Sequence, residues 1–576
     1  MNLLLISGSL RKASLNTRLL REVEALVGER ATCAWADIGS LQLFNDDLEA
    51  DLPDSVRSFR AQVAAADGVI VCSPEYNHSV PGVLKNAIDW ASRPPGKAAW
   101  KGKRVGLMGA SPGAVGTARS KGHLIPVFVC VGCTLAPGPE ISIGQAHERL
   151  AEGGGFADDS TAAFIAKWVA SFLGFEWHSS RFGDQCVVFP DDGRPVAYVD
   201  DVADLRAFCR AHGALMIPHH LAYPEGHRGV NWSVFDEACT PVVEIFSEHG
   251  NSEDDRGAYP FVSHSMGGRD TGQTVRDALA RGLRFGFVAS SDSHSGFPGA
   301  FDEGLLGVHA DDLTRPAILE AIRARRTYAL TGDRMEVWFS VDGSPMGATI
   351  AAGREAEATF TVQGRDEMDV VELIQDGRVV HRAYPADTLA APGDRFQLRL
   401  EWGWGPWGDL ALDRVCDWAF GIEVTGGRIL RTFPCLRSGP FDENRRHRVE
   451  RLSDRELAVR SYTSRAGAYR ENPNHSLVLE LEGGPDLCLD VAMTAPVEDR
   501  STTDLATLAR RSVSRFTGPF PKESWQWHRV VPQPASLVEG HHRLTLPRGR
   551  RSHVYLRARQ ANGQTAWASP VFIDAR

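Results

Sequence analysis

The chain has 576 residues, which at about 150 per domain asks for three or four domains and leaves room for several buried cores. Its 43% hydrophobic and 24% charged residues lie in the globular range and exclude a wholly disordered or fibrous protein. With 63 basic against 73 acidic side chains the net charge is -10, the wrong sign for a main partner that is a nucleic acid or an anionic membrane. Any anion it binds must be held by local groups.

The opening MNLLLISGSL carries too short an apolar run, with no basic residue ahead of it, for a signal peptide, and no stretch reaches the roughly 18 to 20 apolar residues of a membrane span. The ten cysteines are scattered, so neither a disulfide framework nor paired zinc knuckles is expected, and a cytoplasmic location is. Only Cys130 and Cys133 form a CxxC. They sit in the apolar run VFVCVGCTL, which predicts a buried strand rather than a redox or metal pair.

Residues 1–174 alternate short apolar runs with helical patterns, the signature of an α/β unit with a doubly wound parallel sheet. NLLLIS, GVIVCS and RVGLMGA read as strands; NTRLLREVEALV, SVRSFRAQVAAA, VPGVLKNAIDWA and DSTAAFIAKWVASFL read as helices. From 175 to 333 the β/α rhythm continues. GALMIPHH, PVVEIFSEHG and LRFGFVASSDSH each run from an apolar strand into a His-bearing loop, and Thr314 and Pro316 open a helix. From 334 to 576 alternating strands broken by DG, GG and NG turns predict a β-sandwich.

In an open parallel sheet a ligand sits beyond the carboxyl ends of the strands where their order reverses, here the loops after the first and third strands. GSLRKASLNT offers Ser9, Arg11, Ser14 and Asn16 ahead of a helix start, a donor set suited to a phosphate. Taken alone, it equally fits a capped helix start with a solvated arginine. SPEYNHSVPG offers Pro74, Glu75, Tyr76 and Asn77 as a backbone edge beside a planar ring, and GASPGAVGT adds Ser111 and Gly113 after the fourth strand.

These three segments resemble the NADPH-dependent FMN reductase family, flavodoxin-like reductases of quinones, chromate and azo dyes. The resemblance implies a flavodoxin-like fold over residues 1–174 and FMN as cofactor, with NADPH or NADH as reductant. It also implies Ser9, Arg11, Ser14 and Asn16 on the phosphate, and Pro74, Glu75, Tyr76, Asn77, Ser111 and Gly113 about the isoalloxazine. No side chain is required as acid or base, and homo-oligomers through the helix carrying KNAIDW are expected. Trp90 of that helix serves packing or the interface.

The second region places His219 and His220, Glu244 and His249, and Asp292 and His294 at three successive strand ends, where barrel enzymes gather zinc, manganese or iron ligands. Residues 175–576 resemble the later part of PHP-superfamily metal-dependent hydrolases with an appended β domain. That superfamily opens on an HxH strand, and no HxH precedes residue 175, so the region is expected to be a truncated barrel holding at most one divalent metal. His178 is the one obvious substitute ligand. The Trp-rich EWGWGPWGD predicts sheet packing rather than a ring platform.

The expected function is an NAD(P)H-dependent FMN oxidoreductase passing electrons to a small-molecule acceptor: a quinone, metal oxyanion, azo compound or free flavin. The alternatives are a PHP-type metal-dependent phosphoesterase, or a non-catalytic binding role for the C-terminal regions.

Overall fold

The computed structural model describes the chain apart from residues 1, 29–30, 95, 114–115, 136–140, 152–153, 159–160, 163–164, 166–174, 178, 180, 192–198, 200, 257–267, 293–298, 387–393, 405–414, 438–446, 465–473, 520–521 and 576. Two units divide it: Met1–Trp177 with Val187–Ala214, and His178–Cys186 with Leu215–Arg576.

Unit 1 is built on β1 (Asn2–Ser7), α1 (Leu15–Val27), β2 (Thr32–Trp35), α2 (Asp54–Ala65), β3 (Gly68–Cys72), α3 (Gly82–Ala91), β4 (Arg104–Ala110), α4 (Ala118–Cys130), β5 (Thr134–Leu135) and β6 (Ile141–Ile143). All pairings are parallel, in the order β2-β1-β3-β4-β5 with β6 also on β4, which is the flavodoxin-like arrangement. Strands covered on both faces must be apolar at nearly every position, and β3, GVIVC, is buried throughout. Leu19, Leu20 and Val23 of α1 cover Leu3, Leu5 and Ile70 on one face. Val56, Phe59 and Val63 of α2 and Leu84, Ile88 and Trp90 of α3 cover Leu4, Ile6, Val69 and Val71 on the other. The chain passes from β1 to one side for β2 and to the other for β3. Their carboxyl ends are therefore the switch point.

The CxxC segment departs from expectation. Cys130 ends helix α4 and is exposed, while Cys133 donates its thiol to the Trp100 carbonyl at 3.3 Å. The apolar run is a helix because burial recurs at Ser120, Leu124 and Phe128, a four-residue spacing, and not on alternate residues. The predicted closing helix DSTAAFIAKWVASFL lies mostly outside the described residues. A further helix, α5 (Val202–His212), is capped by Asp201 and stopped by Gly213 at φ 62°.

In unit 2, β7 (Leu215–Pro218), β8 (Val242–Ser247) and β9 (Gly286–Ala289) each run into a His- or Asp-bearing loop. β8 and β9 pair in parallel beside the two-residue strand Gly250–Asn251, so where a truncated β/α barrel was expected the described residues form a short sheet. β10 (Leu305–Val308), α6 (Arg315–Arg323) and β11 (Thr327–Leu330) follow; Thr314 caps α6 by accepting from the Ala317 N–H.

Beyond them the region is strand-rich. β12 (Glu336–Val341), β13 (Ser344–Pro345), β14 (Glu355–Gln363) and β15 (Leu537–Thr545) form a sheet in the order β13-β12-β14-β15. Its inner face shares a core with an eight-stranded sheet that includes Met368–Gln375 and Ser552–Gln560. The DG turns take φ > 0 at both residues, Asp342 and Gly343, then Asp376 and Gly377, as type I′ hairpins need. A third, nine-stranded sheet with its own core, built on the long strands Val415–Cys435 and His475–Ala495, goes beyond the single sandwich expected. Trp402 of the Trp-rich segment is wholly buried there.

Two buried carboxylates tie unit 2 together. Glu253 accepts from Tyr555 (2.7 Å), Arg557 (2.8 Å) and Trp567 (2.8 Å). Asp333 accepts from Arg399 (2.7 Å), Gln560 (2.8 Å) and Asn562 (2.8 Å). Burying a charge is costly unless it is paired and hydrogen-bonded, and both are.

Candidate functional site

Three loops meet at the switch point of unit 1. The Gly8 N–H donates to the Cys72 carbonyl at 2.8 Å and draws the first loop onto the end of β3. A Cβ there would come within 3.1 Å of both Leu84 and Pro74, so glycine permits the close approach.

Of the four residues predicted on a phosphate, two are buried and already engaged. Ser14 caps α1, its hydroxyl accepting from the Thr17 N–H at 3.3 Å. Asn16 reaches across to the end of β4: its Nδ2 donates to the Ala110 carbonyl and its Oδ1 accepts from the Ala110 N–H, both at 2.9 Å. The other two lie at the rim. Ser9 Oγ accepts from the Arg11 N–H and stands 3.3 Å from the Tyr76 hydroxyl. The Arg11 guanidinium is exposed and makes no hydrogen bond or ion pair among the described residues. Beside it the first-turn N–H groups of α1, Leu15 and Asn16, have no acceptor within the helix.

In the second loop Tyr76 and Ser79 exchange backbone hydrogen bonds of 3.1 and 3.0 Å around Asn77 (φ 50°) and His78 (φ 63°), a type I′ turn. That turn leaves the Tyr76 ring 49% exposed. Pro74 is buried beneath it. Glu75 points away from the rim: its Oε2 accepts from the N–H groups of Arg119 (3.0 Å) and Ser120 (3.3 Å) at the start of α4, and Oε1 lies 3.2 Å from His78 Nδ1. Burial raises its carboxyl pKa, but the His78 and backbone hydrogen bonds outweigh that and hold it below the usual value. In the third loop Ser111 Oγ accepts from the Gly113 N–H at 3.2 Å, and the Ser111 N–H donates to Ile143 at 3.0 Å.

The structure thus brings Ser9, Arg11, Tyr76 and Asn77 to one rim, with Ser14, Asn16, Pro74 and Glu75 as its frame. An unpaired cation at a helix start can hold an anion, and a half-exposed ring with a rigid backbone edge can border a flat ligand. This donor set fits FMN. Sequence reasoning missed His78 and Arg119, whose roles depend on a turn and a helix start 41 residues apart.

The second constellation converges more tightly than its spacing suggested. His219, His220 and His249 each turn Nε2 toward the Asp292 carboxylate, at 3.2, 3.2 and 2.9 Å. Their Nδ1 atoms are anchored behind by Glu244 (2.7 Å), Asp184 (3.0 Å) and the Tyr223 hydroxyl (2.5 Å). Imidazoles fixed at one nitrogen and converging with the other are how proteins prepare metal ligands. The geometry sets Glu244 behind His219 rather than beside Asp292. Burial works against a charged His219, but Glu244 and Asp292 raise its pKa well above the usual value. Burial also works against the Asp292 carboxylate, which the three histidines hold far below its own. Asp184, lone in RFGDQC, gave no signal in the sequence; His294 and His178 lie outside the described residues.

Comparison with known proteins bears on unit 1. Residues 1–148 match the family of NADPH-dependent FMN reductases. A 2-hydroxy-1,4-benzoquinone reductase of a Burkholderia species is 37% identical over 167 residues, 29% of this chain and 91% of that protein. An NAD(P)H-dependent FMN reductase of Pseudomonas aeruginosa is 42% identical over 161 residues, 28% of this chain and 86% of that protein. Among solved structures, the flavoenzyme NAD(P)H:(acceptor) oxidoreductase of Paracoccus denitrificans is 40% identical over 30% of this chain and 94% of its own, with a TM-score of 0.29. Through residues 1–148, the chain belongs to the NADPH-dependent FMN reductase family of oxidoreductases.

Proposed function

We propose that the chain is an NAD(P)H-dependent FMN oxidoreductase whose electron acceptor is a quinone, and that the rim of unit 1 is its flavin site. The observation that carries this reading is the exposed Arg11, its guanidinium unpaired among the described residues, in the loop between β1 and α1 where Ser9 Oγ accepts from its N–H and stands 3.3 Å from the hydroxyl of the half-exposed Tyr76. FMN, when bound, supplies the hydride and electron chemistry. Ser9 and Arg11 hold the phosphate with side chains. Ser14 and Asn16 contribute the N–H groups of the helix start, since their side chains are spent on Thr17 and Ala110. Pro74, Glu75, Tyr76 and Asn77 give the ring a backbone edge, and Ser111 and Gly113 close its far side. Glu75 is not needed as a proton donor, because its carboxylate caps α4. Copies of the chain pair through α3, where Lys85 and Asp89 form an exposed ion pair at 2.7 Å while Asn86 and Trp90 are buried in their own fold. The test is to mix the full chain with FMN, remove free flavin, and assay NADPH oxidation with 1,4-benzoquinone. One FMN retained per chain and quinone-dependent turnover are expected; no retention refutes the reading.

A second reading rests on the converging imidazoles. Asp292 joins two groups of possible ligands, His219 with His220 and Glu248 with His249, either of which fits one zinc, manganese or iron ion, with Glu244, Asp184 and Tyr223 orienting the rings. In this reading the second unit is the PHP-like part of the chain, reduced to a single ion. Metal analysis of the chain refolded with each ion decides it.

A further inference from the structure

The outer face of the sheet β13-β12-β14-β15 carries a groove of about 760 Å³, within the range of small-molecule sites. Its side chains follow from register. Trp338 stands opposite Thr361 and Thr361 opposite Glu539, while Ser340 stands opposite Thr359 and Thr359 opposite His541. Alternate residues of β12 and β14, Val337, Phe339, Ala358 and Phe360, point the other way into the core and fix the strands that present this grid. Neighbouring strands about 4.8 Å apart and alternate residues about 7 Å apart give the grid a footprint of roughly 10 by 7 Å, that of one or two sugar rings.

Two features distinguish this face from an ordinary solvated sheet. Trp338 is 47% exposed, whereas the other tryptophans of the strand-rich region for which burial is described are packed inside. Its ring is backed by His309, whose centroid lies 6.0 Å away and whose Nε2 is 2.7 Å from the Val337 carbonyl. At the edge of the groove Arg326 keeps its Nε shielded from solvent with no acceptor among the described residues, while its Nη2 lies 3.8 Å from the exposed Asp311 carboxylate. A buried donor without a partner is costly unless a ligand supplies the acceptor.

We propose that this groove binds a neutral oligosaccharide. A pyranose has an apolar C–H face that stacks on an indole and a rim of hydroxyls that both donate and accept. The face offers the ring of Trp338, the donor Arg326, the acceptor Glu539, which also receives the Thr361 hydroxyl at 3.4 Å, and the Ser340–Thr359 hydroxyl pair, 2.7 Å apart, with one donor and further lone pairs left over. Cation and carboxylate together favour an uncharged polyol over an anionic ligand, which Glu539 would repel.

The test is calorimetric titration of the full chain with cellohexaose, xylohexaose, laminarihexaose and maltohexaose in turn. At least one should bind, with Trp338→Ala weakening it about tenfold or more, the loss of one stacked ring. Glu539→Gln and Arg326→Gln should each weaken it several-fold. All three variants should retain the far-ultraviolet spectrum and NADPH oxidation of the parent. No binding by any of the four sugars at millimolar concentration overturns the proposal. So does binding that survives Trp338→Ala and Arg326→Gln, or affinity confined to heparin fragments or to extended peptides.

Discussion

Replacing Asn16 by Ala separates what frames the flavin rim from what binds there. The Asn16 side chain is 3% exposed, makes two bonds to Ala110 at 2.9 Å across 94 residues of sequence, and accepts from the Cys72 thiol at 3.3 Å. Alanine leaves the Ala110 N–H and C=O at the end of β4 without these partners, and each orphaned buried group costs about 1–3 kcal/mol. The two together come to about 2–6 kcal/mol; water entering from the rim keeps the loss in the lower half of that range. A chain of two units does not melt in one step, so the readout is hydrogen exchange of the peptide that contains Ala110. At about 1.4 kcal/mol per factor of ten, the expected loss of protection is about 30-fold or more. Peptides from unit 2 should exchange as before. A change worth less than about 0.5 kcal/mol at Ala110, or an equal loss throughout the chain, refutes the assignment of Asn16 as a local tie.

Arg11→Ala removes a side chain with no partner among the described residues, so it should leave exchange unchanged but weaken FMN binding by about 1.5–3 kcal/mol, about 10- to 150-fold by flavin fluorescence titration. Arg399→Met strands the Asp333 carboxylate and should cost unit 2 about 3–5 kcal/mol, read as lost hydrogen-exchange protection in the peptides around Asp333 and Gln560. Burial raises the Asp333 pKa, but Arg399 and the amides of Asn562 and Gln560 outweigh it, so the folded value is depressed. Its contribution to stability is therefore present above about pH 4 and lost as pH falls through the folded value, which acid titration of the wild-type chain should show. Plasma emission analysis after loading with zinc or manganese should find at most one ion per chain, lost in Asp292→Asn; two or three ions with phosphoesterase turnover would refute the single-ion reading.

What was legible in the sequence was local. The strand–loop–helix run around Ser9 to Asn16 and the turn around Asn77 are written in contiguous residues, so their placement at one rim followed from strand order alone. The tie from the Asn16 side chain to Ala110 was not legible, because that partner is a backbone group that no side-chain pattern announces. The histidines at three strand ends were visible, but their anchoring was not: Asp184 and Tyr223 are ordinary residues until folding sets them behind His220 and His249. VFVCVGCTL was misread because a solidly apolar run has no period to separate strand from helix. The tryptophan cluster was read as sheet packing, which the buried Trp402 fits. The isolated Trp338, which alternates with core residues on β12, carried no such signal, and among the described tryptophans of the strand-rich region it is the one left open.

The type I′ turn at Asn77 and His78 has a bearing on evolvability. Two adjacent non-glycine residues there hold positive φ, a conformation that β-branched and bulky side chains resist. Substitution at either position therefore acts first on the angle at which Tyr76 meets the rim and only afterwards on what the new side chain touches. Variants drifting toward a different electron acceptor have a hinge here that glycine, asparagine or aspartate can reset by small steps, while the strands beneath it, apolar on both faces, stay closed to change.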